Sequence, residues 1–366
     1  MTDPSMLSAK QVRAGRALLA WSQQDLAKKA GIAASTLADF ERGQRKPVPN
    51  NAQAIRAALE NAGITFPAGG AVAGIFLPQL GPTTKSGNPI RWTTQNDIAQ
   101  WAERRGGQSG LPELLSKLIK ASGCSSVHFP SDEAVQHPGW DGLSIAIEKT
   151  LYVPKGTAGW EIGTQRDNIL GKANDDYLKR TDDPEHLVRN VSTFIFVTPR
   201  PWSKKEQWAD AKRNENVWAD VRAYDGSDLV HWIETYPAVG HWLAGHLGKR
   251  PAGTLQLEEV WQEWSLATQW PLSTDLILSD RDESAVEILT WLRSSASQRD
   301  FQGETAEEVC ALLYAAITQL PESVSEHYLA RCLVATDAEQ ARKLADSASP
   351  MIIVLIDPQP GLAQVI

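Results

Sequence analysis

Along residues 8–65 the hydrophobic positions recur at helical spacing. Val12, Leu18 and Leu19 share one face with Gly15 between them, Leu26 and Ala27 form a second inward set, and Ile32, Leu37 and Phe40 form a third. The punctuation between these sets is that of short helices. Ser22 stands as N-cap with Asp25 three positions on, a short-armed capping box. Gly31 supplies a turn whose positive φ only glycine adopts cheaply. Gly43 ends the third helix, Pro47 and Pro49 follow as breakers, and a fourth helix runs from about Ala52 to Ala62.

From Pro67 to about Pro89 the chain is rich in Gly, Pro and Thr and reads as a linker, with a short strand around Gly74 to Leu77. "WTTQNDIAQWAERR" follows as a short amphipathic helix capped by Thr94 or Asn96. The next stretch mixes periods. "LPELLSKLIKASG" is a helix with Pro112 in its first turn, and "SSVHF", "LSIAIEKT" and "AGWEIGT" are strands. "KANDDYLKRT" is a helix, "VSTFIFVTP" and "WADVRAYDG" are strands, and "SDLVHWIETY" is a helix. In the last third "TDLILSD", "ARCLVATD" and "MIIVLID" read as strands and the segments between them as helices. That alternation implies a parallel sheet with covered faces. The expected fold is α+β and multidomain: a helical bundle over residues 1–66, a linker with a short helix over 67–110, an α/β domain over 111–250 and a small parallel α/β domain over 251–366.

Composition sharpens this only in places. The net charge is −8, yet residues 1–65 hold nine Lys/Arg against five Asp/Glu, so a basic module of about +4 precedes a body of about −12. That distribution suits nucleic-acid binding by the first module alone. Eleven of the 14 Trp lie between Trp140 and Trp291, which marks a Trp-rich core there. Cys124, Cys310 and Cys332 are odd in number and far apart, neither a disulfide framework nor a zinc set, as expected of a reducing cytoplasm. No apolar run reaches the length of a membrane span, and the N-terminus lacks an apolar signal segment. His241 and His246 are five apart and lack partners at zinc-ligand spacing, and no glycine-rich loop has the phosphate-binding pattern.

The residues Ser22-Gln23, Ala27, Gly31, Leu37, Glu41 and Gly43 carry a resemblance to the Cro/lambda-repressor-like helix-turn-helix domains of the xenobiotic-response-element (XRE) regulator family, over roughly residues 8–65. Ala33 departs from the pattern, standing where the family places a Ser or Thr cap. The resemblance implies that Ala34, Ser35, Ala38 and Asp39 face base edges in the major groove of double-stranded DNA. It implies phosphate contacts for Gln23, Thr36, Arg42, Arg45 and Lys46, and a homodimer on a two-fold operator.

Glu161 lies in the strand "GWEIGT" between Trp160 and Ile162. An unpaired carboxylate in a buried strand is unfavourable, so Glu161 is solvated on the opposite pleat, paired, or a metal ligand. The order of elements, with Asp141 at the start of the second strand and Glu161 in the third, resembles the PD-(D/E)xK restriction-endonuclease-like superfamily over about residues 111–236. "GWDG…GWEIGT…KANDDYLKRT" also resembles segments of nuclease-like domains in bacterial anti-phage proteins. The resemblance implies Mg²⁺ held by Asp141 and Glu161, with Glu113 as an additional carboxylate. It departs at Gly163, where the superfamily places a lysine. Lys172 on the next helix is the substitute, with Gln165 as an uncharged option. Without a metal, Glu161 pairs with Lys172 or Arg166, or faces water.

The expected function is sequence-specific DNA binding joined to Mg²⁺-dependent DNA cleavage in phage defence. The alternative is a transcriptional repressor whose later domains are inactive and serve sensing, oligomerisation or a protein partner.

Overall fold

A computed structural model of the chain describes residues 9, 12–13, 16, 21–42, 48–61, 88–130, 139–293, 299–356 and 362–365. The chain divides into two compact units, one of residues 1–84, 253–346 and 352–366, the other of residues 85–252 and 347–351.

The N-terminal helices of the first unit are α1 (Gln23–Ala30), α2 (Ala34–Glu41) and α3 (Pro49–Asn61), and Val12, Arg13 and Arg16 ahead of them are helical. Ser22 and Asp25 form the expected capping box, and Gly31 turns the chain at φ +65°. Val12, Leu26, Ala27, Leu37, Phe40, Ile55, Ala58 and Leu59 close one apolar core, with Ile32 packed at its edge. The last helix begins at Pro49, three residues earlier than its apolar spacing suggests, because proline is well suited to a helix's first position. Arg45, Lys46 and the expected strand around Gly74 lie outside the described residues.

The second unit opens with α4 (Gln95–Trp101), capped by Thr94, and α5 (Arg105–Ala121). This helix starts ahead of the expected point, so Pro112 sits in its interior rather than in its first turn. The glycines of "RRGGQSG" give that segment the look of a loop in the sequence. A five-stranded sheet follows: β1 (Ser126–His128), β2 (Gly142–Ala146), β3 (Gly156–Ile162), β4 (Ser192–Val197) and β5 (Asp220–Tyr224), in that order. The first three strands run antiparallel, and β3, β4 and β5 run parallel. Parallel neighbours need crossovers, supplied by α6 (Ile169–Asp182) and by α7 (Lys205–Arg213), a helix the sequence pattern did not suggest. The helices α8 (Gly226–Thr235) and α9 (Pro237–His246) complete the unit.

Both faces of this sheet are covered. Register puts Glu161, Phe196 and Ala223 on one face and Trp160, Ile195 and Arg222 on the other. The first face meets Tyr177, Trp202, Trp208 and Trp218. On the second, Trp160 stacks on Trp232 at 6.2 Å between centroids. A strand in such a place is buried at successive positions, and that settles the environment of Glu161.

The remainder of the first unit contains β6 (Thr254–Gln256), α10 (Leu257–Ser265), α11 (Thr274–Ile277), α12 (Asp282–Arg293), β7 (Arg299–Gln302), α13 (Ala306–Thr318), α14 (Glu322–Leu329), β8 (Cys332–Ala335), α15 (Ala338–Ala345), β9 (Ile352–Ile356) and β10 (Leu362–Val365). The sheet order is β6–β8–β9–β10–β7. Two expectations are corrected here. "TDLILSD" forms the short helix α11, because Ser273 caps it by accepting from the Leu276 amide. The sheet is mixed rather than parallel: β8 and β9 are parallel, while β6, β7 and β10 pair antiparallel. Cys310 and Cys332 are free thiols buried in this core.

Candidate functional site

In the helical domain α2 presents Ala34 and Ser35 to solvent, with Thr36, Ala38 and Asp39 half-buried beside them. Ala33 makes no side-chain cap, as the sequence indicates. The other end of α2 is anchored. Glu41, 2% exposed, receives Arg16 as a two-pronged fork, Nε to Oε1 at 3.0 Å and Nη2 to Oε2 at 2.9 Å. Arg16 also donates to the Trp21 carbonyl at 3.1 Å. Gln23 Nε2 donates to the same Glu41 Oε2 at 2.8 Å, so one carboxylate fixes both α2 and the first residue of α1. Arg42 is exposed and donates to Asp39 at 2.8 Å and to the Ala38 carbonyl at 3.3 Å. A base-facing and a phosphate-facing candidate are thus paired with each other.

In the second unit Asp141, Glu161 and Lys172 come together at one end of β3. Asp141 follows the turn at Gly139 and accepts the Ile162 amide at 2.7 Å. Glu161 is 3% exposed and forms an ion pair with Arg180, on the last turn of α6. The same guanidinium donates to Glu185 at 2.6 Å and to the Gly139 carbonyl, and lies 4.8 Å over the Trp140 ring. Burial, reinforced by the Asp141 charge, pushes the Glu161 carboxyl up to about 8 against the pull of Arg180. One guanidinium divided between two carboxylates is a partial counter-charge.

Lys172 stands in the first turn of α6, whose N-cap Asn168 accepts the Gly171 amide. Its amine meets Asp176 at 2.5 Å. Burial opposes the Lys172 charge, but Asp176, Glu161 and Asp141 outweigh it and raise its pKa. Asp176 is itself raised, by burial first, although Lys172 pulls the other way. Its second oxygen is buried and has no hydrogen-bond partner among the described residues. Glu161 is therefore neither solvated nor paired with Lys172 or Arg166; its partner is Arg180. Gln165 reaches the Asn168 carbonyl at 3.4 Å. Glu113 is half exposed on α5 and faces Lys117 at 3.9 Å instead.

Among the described residues no group of three or more His, Cys, Asp or Glu side chains is placed to hold a metal. Mg²⁺ takes one or two carboxylates and keeps its other positions for water and phosphate oxygens. Asp141 and Glu161 supply two carboxylates of that kind, with one oxygen of Asp141 on the Ile162 amide and one of Glu161 on Arg180.

Residues 12–61 match the family model described as helix-turn-helix. The N-terminal domain is a helix-turn-helix of the XRE type. Such a domain supports sequence-specific DNA binding. No curated protein and no solved structure matches the chain. No helix among the described residues is long and apolar enough to cross a membrane.

Three residues were missed in the sequence: Arg16, Arg180 and Asp176. Arg16 pairs across 25 positions and Arg180 across 19, separations that no local pattern reports. Asp176 was within reach, since Lys172 lies four residues before it on one helix.

Proposed function

We propose that the protein is a sequence-specific DNA-binding protein whose second unit carries a PD-(D/E)xK-like site for phosphodiester cleavage, in the manner of a phage-defence nuclease. The observation that carries the reading is geometric: at one end of β3 the Ile162 amide holds Asp141, Glu161 is the preceding residue, and the Lys172 stem lies against Gly163, the next residue on. Ser35, Ala34, Ala38 and Asp39 on α2 read base edges of duplex DNA, and Gln23, Thr36 and Arg42 meet phosphates, with two copies on a two-fold operator. Asp141 and Glu161 would hold Mg²⁺, which when bound supplies a Lewis acid at the phosphate and a more acidic water. The chain's own residues do the rest. The Ile162 amide orients Asp141, and Arg180 orients Glu161. Asp176 keeps the Lys172 amine charged, and that ammonium stabilises negative charge developing on the phosphate. The test is incubation of plasmid DNA with the full-length protein and Mg²⁺, wild type beside Asp141→Asn and Glu161→Gln. Cleavage by wild type and by neither variant is the expected result.

One observation favours the alternative. The Ile162 amide and Arg180 already answer Asp141 and Glu161 from within the protein. On that reading the second unit is an inactive nuclease-like fold and the protein a repressor. Operator binding without cleavage in the same experiment selects it.

A further inference from the structure

A cavity of about 410 Å³ opens beside Lys172 in the second unit. Its wall carries three basic side chains, Arg166, Lys172 and Arg200, against one acidic one, Glu103. Arg200 is 8% exposed and held on two sides, Nη1 donating to Glu103 at 2.8 Å and Nη2 to the Thr164 carbonyl at 3.3 Å. A buried guanidinium fixed in this way is preorganised to receive an anion. Arg166 is exposed and makes no ion pair among the described residues. The Lys172 amine spends one donor on Asp176 and has two more. Thr164 and Gln165 add polar groups, and Ala102 and Ile162 an apolar patch. Ligand pockets start at roughly 300 Å³, so this volume suits a phosphate with its sugar rather than a bare ion.

We propose that this cavity binds the phosphate group of a nucleotide, with Arg166, Lys172 and Arg200 as its cationic wall. The inference rests on the nuclease reading only for where the phosphate comes from, a DNA strand; binding itself requires no cleavage.

The full-length protein, in chelator and free of divalent cations, is titrated with inorganic phosphate, thymidine monophosphate, the dinucleotide TpT and its 5′-phosphorylated form pTpT. These probes are too short to span a helix-turn-helix site. Saturable binding of thymidine monophosphate is expected, weakened at least about tenfold by Arg166→Gln and by Lys172→Gln. Arg166 is exposed, so its variant keeps the fold. Binding of TpT as tight as that of the monophosphate assigns the cavity to the internal DNA backbone. Binding of the monophosphate and pTpT without TpT assigns it to a terminal or free phosphate. No binding of any probe at millimolar concentration overturns the proposal. So does binding that both variants leave unchanged, or that Arg42→Ala abolishes instead, since the phosphate then sits on the helix-turn-helix. If the monophosphate binds and no DNA is cut, the cavity stands and the cleavage reading falls.

Discussion

The aliphatic stem of Lys172 passes 3.4 Å from the point where a Cβ on Gly163 would stand, and the Phe196 ring is closer still at 2.5 Å. Position 163 is where the nuclease resemblance places a lysine. In this fold that position has no room for a side chain, and α6 brings a lysine into the space beside it. The departure at Gly163 and the presence of Lys172 are two sides of one packing arrangement.

Gly163→Ala should therefore destabilise the second unit by about 1–3 kcal/mol, the usual range for overpacking a filled site. Phe196 is fully buried and has little freedom to retreat. Chemical denaturation measures the loss, and Phe196→Leu combined with Gly163→Ala should recover part of it. An unchanged midpoint for the single variant would sink the packing account.

The Glu161–Arg180 pair makes a prediction about pH. The Glu161 carboxyl is ordinarily near 4.5 and is pushed up to about 8 in the fold. Between those values the folded chain holds a proton that the unfolded chain has released. This group's contribution to stability is therefore full below about pH 4.5 and is lost as pH rises through about 8. Glu161→Gln should flatten the decline. Asp176, raised in the same direction, leaves a residual slope. Arg180→Met removes the shared partner of Glu161 and Glu185 and should destabilise most above about pH 8, where the buried Glu161 is charged and left unanswered. Thermal melts across the pH range read wild type and both variants, and a Glu161→Gln profile as steep as wild type contradicts the assignment.

In the helix-turn-helix two ion pairs predict opposite behaviour. Arg16–Glu41 is buried and two-pronged, so Glu41→Ala leaves a buried guanidinium unanswered and should destabilise by about 3–5 kcal/mol. Asp39–Arg42 is exposed and should contribute no more than about 1 kcal/mol. Its loss should appear in DNA binding instead. Arg42→Ala should weaken binding to all sequences and reduce the salt dependence by roughly one phosphate contact, while Asp39→Ala and Ser35→Ala should alter sequence preference. Fluorescence anisotropy at several salt concentrations, run beside melting curves, separates the two pairs. Salt-insensitive binding by wild type would remove the DNA assignment.

How far the sequence could be read follows the range of the interactions involved. The capping box at Ser22, the turn at Gly31 and the uncapped Ala33 are local, and each was visible in a few residues. Glu161 posed a local question with a distant answer. Alternation along a strand tells which residues share a face, but not whether that face is covered, and here α6 covers it with Tyr177 and Arg180. The C-terminal sheet was harder. Its strands β6, β7 and β10 are three or four residues long, so periodicity had little to act on. Ser273 outweighed the apolar residues of "TDLILSD" and made them a helix. At the carboxylate–lysine site the resemblance brought Lys172 into view as a substitute for the lysine missing at Gly163, whereas Arg180 stands two turns further on, and the acidic residues near it in sequence, Asp182, Asp183 and Glu185, hide its pairing with a carboxylate 19 positions back.

The cleavage test decides what that site does. If Glu161 serves a cation, Glu161→Gln and Asp141→Asn should each abolish Mg²⁺-dependent cutting and any Mg²⁺-dependent rise in melting temperature, while the fold survives, because amides keep the shape and lose the charge. Lys172→Gln should slow cutting by about 10²–10³-fold, the range seen when one donor to a developing oxyanion is removed, and leave the Mg²⁺ shift in place. Asp176→Asn should act through Lys172: it removes the carboxylate that keeps the amine charged, so the rate should fall chiefly at high pH, where the less supported amine loses its proton first. A merely structural Asp176 would depress the rate equally at every pH. If wild type shows neither cutting nor a Mg²⁺ shift while still binding its operator, Glu161 belongs to Arg180 alone, and the second unit is a nuclease-like fold without cleavage.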